Sequence, residues 1–463
     1  MTSVNRRRRY ACWVPTRWHC PEPHGDIGLN RLDWSSRPGQ PLHGSVRVPG
    51  DKSVSHRALM LAAIAEGDSR IRGFLEGEDT RATAAVLAQL GVHIETPSAG
   101  ERVVRGVGLH GLRGSSQPLD CGNAGTGMRL LTGLLAGQAF DSKLIGDASL
   151  SKRPMRRVTD PLASMGARID THDGLPPLQV RGRQPLHGIR YELPVASAQV
   201  KSALLLAGLY AAGETEIIEP HPTRDYTERM LAAFGWPITF EPGRAKLEGG
   251  HSLRATDVDV PADFSSAAFF LVAASIVPGS ELKLPAVGLN PRRTGLLQAL
   301  RLMGADITIE NQRESGGEPV GDLVVRYAPL HGIELPESLV PDMIDEFPAL
   351  FIAAAVASGS TLIRGAAELR VKESDRIATM AVGLRTLGAA IEETPDGALI
   401  HGGKLGAGSV ESHLDHRIAM SFAVAGLVAA GPVRINDCSH VATSFPGFLE
   451  LVNGCGFALR TVA

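Results

Sequence analysis

At 463 residues the chain is too long for one ordinary hydrophobic core, so roughly two to four domains are expected, and two large lobes is the economical reading. Its 47 Lys and Arg against 49 Asp and Glu leave a formal net charge of -2. That balance excludes a global field holding the protein on nucleic acid or an anionic membrane, so any anion must be bound by locally clustered cations.

The first stretch, residues 1–36, carries Arg6 to Arg9 together with Trp13, Trp18 and Trp34 and has no apolar segment of signal-peptide length, so it is expected to be a poorly ordered extension. Apolar runs further on, such as Phe269 to Val277 and Ala349 to Ala357, fall short of the roughly 20 residues that span a bilayer. Five widely spaced cysteines, with no C-x-x-C pair, read as free thiols of a reducing cytosol rather than a disulfide frame or zinc ribbon.

After Gly44 to Pro49, which reads as a strand entering a Gly turn, comes PGDKSVSHRALMLAAIA. Here Gly50 permits a tight turn, Ser53 can cap or bind an oxyanion, and Lys52 and Arg57 bring two cations to one helix start. A unit follows that recurs through the chain: a small-residue turn, a short β-branched strand, a polar loop, then an amphipathic helix closing on an apolar residue and Gly. Its first copy closes at Gly91. In LDCGNAGTGMRLLTGLLAG, Gly122, Asn123, Gly125 and Thr126 let a ligand approach the backbone ahead of an apolar helix, without the Lys of a Walker loop.

The second copy holds GDASLSKRPMRR, with Lys152, Arg153, Arg156 and Arg157 around a helix-starting Pro154, and closes at Gly166. PVASAQVKSALLLAGLYAAG then opens an almost wholly apolar helix with Ser197, Gln199 and Lys201. The third copy contains TRDYTE and closes at Gly235, and the fourth contains NPRRTG and closes at Gly304. Carboxylates missing from the first half then arrive: Asp342, Asp345 and Glu346 in PDMIDEFPAL, and Glu373 and Asp375 beside Lys372 and Arg376 in the fifth copy, which closes at Gly388. Asp415, His416 and Arg417 lie in HLDHRIAMSFAV, before a sixth copy closing at Gly456.

A period of roughly 70 residues is longer than the 20 to 45 of a solenoid, so six units of β-α-β-α-β-β content divide more naturally into two lobes of three. The fold class is therefore α/β. The break is expected near Val260 to Asp263 with a second crossing near Gly50, giving one lobe of residues 37–49 plus 262–463 and another of 50–261.

Helix N-termini offer unpaired N–H groups and partial positive charge, which suit phosphate and carboxylate. Taken singly, each segment would pass as a capped helix with solvated charges; five or six of them in a near-neutral chain point to anions held in a shared cleft.

In this order, PGDKSVSHR, CGNAGTGMR, GDASLSKRPM, SAQVKSA, KESDRI and DHRIAMSF closely resemble the 5-enolpyruvylshikimate-3-phosphate (EPSP) synthase family, over the chain from about Gly44 onward. The resemblance implies an α/β fold of inside-out barrel type and a cofactor-free and metal-free, monomeric, cytoplasmic transferase. Such an enzyme moves the carboxyvinyl group of phosphoenolpyruvate to the 5-hydroxyl of shikimate 3-phosphate and releases phosphate. By matching motif, Lys52, Ser53, Arg57, Ser197, Ala198, Gln199, Arg224, Asp345 and Lys372 would hold shikimate 3-phosphate. Lys52, Gly125, Arg153, Gln199, Arg376 and Arg417 would enclose phosphoenolpyruvate, and Lys52, Asp345 and Glu373 are the acid–base candidates.

Where many members carry Lys before Thr-Phe-Pro, this chain reads Ala442, Thr443, Ser444, Phe445, Pro446, so that cation is missing. The segments look more like the class II branch, yet Gly125 leaves open the space that an Ala fills in many glyphosate-tolerant members. Two rivals are a transferase acting on UDP-N-acetylglucosamine, which typically uses a Cys absent from GDASLSKRPM, and a non-catalytic anion-binding protein of the same fold.

Overall fold

The computed structural model describes residues 32–315 and 317–462. Among them, twelve α-helices fall into six successive pairs. In the first half these are α1 (Lys52–Ile64) and α2 (Glu78–Gln89), α3 (Gly125–Ala136) and α4 (Arg156–Ser164), and α5 (Ala198–Gly208) and α6 (Tyr226–Ala233). In the second half they are α7 (Phe264–Ile276) and α8 (Gly295–Leu302), α9 (Phe347–Val356) and α10 (Arg376–Thr386), and α11 (His416–Gly426) and α12 (Phe448–Asn453).

The first helix of each pair is apolar on nearly all sides, a pattern stable only where every face is covered. Every residue of α7 is buried, and α3 packs on α5 as α9 packs on α7 and α11. The second helix of each pair is amphipathic, and the six closing glycines Gly91, Gly166, Gly235, Gly304, Gly388 and Gly456 all have positive φ, as a left-handed helix end requires.

Each pair carries a small sheet with one strand pattern. In the second unit Leu119–Asp120 runs parallel to Ser142–Ile145, which pairs antiparallel with Leu175–Arg181, itself antiparallel to Arg168–His172. Five sheets have four strands in this arrangement. The fifth unit has three, its parallel partner reduced to single bridges at His331 and Glu334.

Two sheets take a strand from before a chain crossing: His43–Ser45 lies parallel to Glu281–Gly288, and Val258–Asp259 parallel to Glu66–Arg72. The crossings are hydrogen-bonded to each other, Asp51 N to Pro261 O at 2.8 Å and Asp263 N to Pro49 O at 2.8 Å. A Cβ at Gly50 would lie 1.8 Å from the Gly73 carbonyl oxygen, so only glycine fits there. Immediately after each crossing an aspartate caps a buried helix, Asp51 for α1 and Asp263 for α7.

One expectation is corrected. Residues 33–36, assigned to a poorly ordered extension, belong to strand Asp33–Arg37, which pairs with Val433–Asn436 on one edge and Ala458–Val462 on the other. This strand completes the sixth sheet, and Trp34 is buried against Phe448 with ring centroids 5.5 Å apart. The Arg6 to Arg9 run, Trp13, Trp18, Cys12 and Cys20 lie outside the described residues.

Buried apolar side chains form two clusters that divide at the crossings, one from Val54 to Val260 and the other from Trp34 to Val48 and Ala262 to Leu459. Cys121, Cys438 and Cys455 are buried and free. No helix among the described residues is long and apolar enough to cross a membrane.

Candidate functional site

The polar starts of α1, α3, α5 and α11 and the loops before α4, α6, α8, α9 and α10 converge on one cleft of about 480 Å³. Nine basic side chains line it against five carboxylates, although the chain as a whole is slightly acidic. Of the residues expected there, Lys52, Ser53, Arg57, Gly125, Arg153, Ser197, Ala198, Gln199, Arg224, Asp345, Lys372, Glu373 and Arg417 all form its wall. Arg376 does not: it is 1% exposed, with Nε 2.8 Å from Asp415 Oδ2 and Nη2 2.6 Å from Glu373 Oε2, so it stands one layer behind. Its Nη1 has no hydrogen-bond partner and lies 3.7 Å from Asp345 Oδ1.

On one wall, Asp51 caps α1 and places Lys52 in its first turn, where Nζ donates to Asp79 Oδ2 at 3.0 Å and Ser444 Oγ at 2.7 Å. A hydroxyl of the TSFP segment thus meets this ammonium near the place of the missing Lys. Arg57 is buried and donates to Thr227 Oγ1, Ser202 Oγ and the Ser53 carbonyl. Burial, then the charge of Arg224, pulls its pKa down to about 10.

The GNAGT turn delivers Gly125 and Thr126 at the start of α3. Arg153 is steadied beside them by Asn123 Oδ1 at 2.6 Å and Ser149 Oγ at 3.2 Å. Of the four cations around Pro154, Arg153 and Arg157 reach the cleft, whereas Lys152 and Arg156 face away from it, exposed. Gln199 accepts from Arg129 Nη1 at 2.8 Å and donates to Thr126 Oγ1 at 2.9 Å, which ties α5 to α3. Lys201 is not at the cleft; it is buried between Glu219 and Glu228, with Nζ 2.7 Å from each.

The facing wall brings the carboxylates. Asp345, just before α9, accepts from Arg224 at 3.1 Å and Arg293 at 3.0 Å, and Arg417 Nη1 holds its carbonyl at 3.0 Å. Burial alone would raise the Asp345 pKa, but Arg224, Lys372, Arg417 and Arg293 outweigh it and hold the group well below the usual carboxylate range. Glu373 behaves alike: burial raises it, and Arg376, Arg153 and Lys52 together hold it well below. His416 lines the cleft and is kept neutral by burial and by the charges of Lys52 and Arg417. Among the described residues no group of three or more His, Cys, Asp or Glu is placed to hold a metal ion.

Sequence reasoning missed Arg129, Arg293, Asp79 and Asp263. Arg129 ends the quoted segment CGNAGTGMR and lies one helical turn after Gly125. Arg293 sits in NPRRTG, a cation pair opening a helix like the other starts, so the same device would have found it. Arg129 lies among Arg153 and Arg157, and burial followed by those charges lowers its pKa to about 9. Cations packed so closely weaken one another's charged forms, and a bound multivalent anion removes that conflict.

A family model described as EPSP synthase (3-phosphoshikimate 1-carboxyvinyltransferase) matches residues 36–452. The 3-phosphoshikimate 1-carboxyvinyltransferase of Xanthomonas euvesicatoria pv. vesicatoria (strain 85-10) is 70% identical over 429 residues, covering 92% of this chain and 98% of that protein. Its counterpart in Xanthomonas axonopodis pv. citri (strain 306) is 71% identical over 429 residues, with the same coverage of 92% and 98%. A solved EPSP synthase of Acinetobacter baumannii superposes with a TM-score of 0.85 at 53% identity, covering 93% of this chain and 100% of that one.

Proposed function

Because the chain belongs to the EPSP synthase family, we propose that its cleft joins phosphoenolpyruvate to shikimate 3-phosphate: the carboxyvinyl group passes to the 5-hydroxyl and phosphate leaves. The observation that carries this reading is the meeting of basic side chains from both hydrophobic clusters around Asp345 and Glu373 in one cleft.

In this reading Ser53, Arg57, Ser197, Ala198, Gln199, Arg224 and Lys372 seat shikimate 3-phosphate. Lys52, Gly125, Arg153, Gln199 and Arg417 surround phosphoenolpyruvate, with Arg376 backing Glu373. Proton delivery to the methylene carbon from Glu373 or Lys52 makes the enol carbon electrophilic. The 5-hydroxyl attacks it while Asp345 takes the hydroxyl proton, giving a tetrahedral ketal phosphate. Loss of a proton from the new methyl group and of phosphate completes the transfer.

Both carboxylates are strongly ionised while the cations face them. Substrate phosphate and carboxylate compete for Arg224, Arg153 and Arg417, and each cation drawn away raises the proton affinity of Asp345 or Glu373. Anion binding therefore switches on their acid–base work.

The two hydrophobic clusters support one lobe of 37–49 plus 262–463, extended by strand Asp33–Arg37, and another of 50–261; in this reading the lobes close on the substrates and the enzyme works as a monomer in the cytoplasm. The test is phosphate release with both substrates, with each alone, and with UDP-N-acetylglucosamine replacing shikimate 3-phosphate. Release only with shikimate 3-phosphate and phosphoenolpyruvate together is expected; release with the nucleotide sugar instead would overturn the reading.

A further inference from the structure

The cations around Asp345 are of two kinds. Arg224, Lys372 and Arg417 form the cleft wall and make few hydrogen bonds: Arg224 reaches Asp345 Oδ2, Lys372 lies 2.9 Å from Glu368 and 3.9 Å from Asp345 Oδ1, and Arg417 holds the Asp345 carbonyl and lies 3.7 Å from Glu346 Oε1. Such side chains can turn to a substrate anion.

Arg293 is different. Its side chain is 6% exposed, Nη1 lies 3.0 Å from Asp345 Oδ2 and 3.6 Å from Glu346 Oε1, and Nη2 lies 3.6 Å from Asp263 Oδ1. Nη2 also donates to Ser265 Oγ in the first turn of α7, and that hydroxyl donates to Glu346 Oε1. Glu346 is fully buried, and its Oε2 has no hydrogen-bond partner. Swinging this guanidinium out to a ligand would leave Asp263 without its guanidinium partner and Glu346 with only Arg417 Nη1 at 3.7 Å, so two buried carboxylates hold it in place.

The result is an asymmetric carboxylate. Asp345 Oδ2 accepts from both Arg224 and Arg293, whereas Oδ1 accepts no hydrogen bond from the described residues, with Arg376 Nη1 at 3.7 Å and Lys372 Nζ at 3.9 Å.

We propose that Arg293 is a positioning residue of the reaction: braced against Ser265 and Glu346, it pins Asp345 Oδ2 so that Oδ1 stays presented to the substrate hydroxyl after the other cations have turned to the substrates. This rests on the reading above that Asp345 accepts the proton. Asp345 is the last residue before the Glu346 cap of α9, and Arg293 opens toward α8, so one guanidinium ties three elements of one cluster to a single oxygen.

The experiment compares Arg293→Gln, Arg293→Lys, Ser265→Ala and Asp345→Asn, each in the full chain, by steady-state phosphate release across pH. Shikimate 3-phosphate binding is measured by calorimetry and folding by thermal unfolding. A carboxylate misplaced by a fraction of an ångström to 1 Å predicts a fall in kcat of about tenfold to a hundredfold for Arg293→Gln, with both KM values within about threefold. Loss of one adjacent cation raises the Asp345 pKa, so the acidic limb of the kcat profile moves up by about one pH unit. Arg293→Lys restores part of both effects, and Ser265→Ala moves both in the same direction by less.

Folded Arg293 variants with unchanged kcat and acidic limb, or with the whole loss in KM, would overturn the proposal. If Arg293→Gln does not fold, Ser265→Ala decides alone: a lower kcat with a raised limb supports it, and no change in either overturns it. An active Asp345→Asn would sink the reading of Asp345 itself, and the proposal with it; an inactive Asp345→Asn beside unaffected Arg293 variants sinks the proposal only.

Discussion

Gly125→Ala isolates the phosphoenolpyruvate side of the cleft. The new Cβ would stand 2.9 Å from Arg153 Nη1 and 3.3 Å from Arg129 Nη1, where ordinary contact begins at 3.4 Å. Arg153 must therefore withdraw by about half an ångström. Its anchors at Asn123 and Ser149 tolerate that, because the clash falls on the far end of a flexible side chain.

The loss falls on ligand geometry. A 1 Å error in a positioned group costs about a hundredfold, so half that shift predicts an increase of about tenfold in the KM for phosphoenolpyruvate, equal to about 1.4 kcal/mol. The KM for shikimate 3-phosphate should stay within about twofold, because Ser53, Arg57 and Arg224 are untouched. Glyphosate, competing for the same cations, should inhibit the variant less than the parent by at least the same factor. Steady-state phosphate release with each substrate varied in turn gives all three numbers. Equal increases in both KM values, or unchanged inhibition, would refute the reasoning.

Lys201→Met should cost about 3–5 kcal/mol in urea unfolding at pH 8, because Glu219 and Glu228 would be buried without their cation. Burial already raises the pKa of Glu228, so the deficit should shrink toward pH 5 as Glu228 takes up a proton; a loss below about 1 kcal/mol at pH 8 contradicts this. Glu318 has its pKa raised from 4.5 to about 8, chiefly by burial, so the protonated form suits the fold. Relative to Glu318→Gln, the parent should lose stability steadily as pH climbs from about 4.5 through about 8, and parallel stability curves would contradict the assignment. Arg224→Met should raise the KM for shikimate 3-phosphate by about tenfold to a hundredfold, the worth of a charged hydrogen bond, and leave that for phosphoenolpyruvate nearly unchanged.

Local features were the most legible in the sequence. The closing glycines mark helix ends because left-handed φ is a local demand, and GDKS, GNAGT and SAQ reveal helix starts because caps and turns are made by neighbours. What a charged residue does once placed was harder to read. Lys201 looked like part of a polar entrance, yet Glu219 and Glu228 arrive from another strand and helix to bury it. Arg376 begins α10 as expected, but Asp415 from α11 turns it inward. Strand Asp33–Arg37 was hidden because its partners lie some four hundred positions away, with Trp34 opposite Ile435 and Thr461.

That strand bears on how the protein is made. Emerging early from the ribosome, Asp33–Arg37 and His43–Ser45 must wait as bare edges, the second until Glu281–Gly288 exists and the first until the chain is almost complete. Vectorial synthesis therefore favours the half between the crossings, while the enclosing half carries unpaired, aggregation-prone backbone for most of translation. Since Asp33 pairs with Val462, the two ends of the described chain are neighbours. A circular permutant opened between Pro261 and Ala262, its old termini linked, would build each core from one uninterrupted stretch.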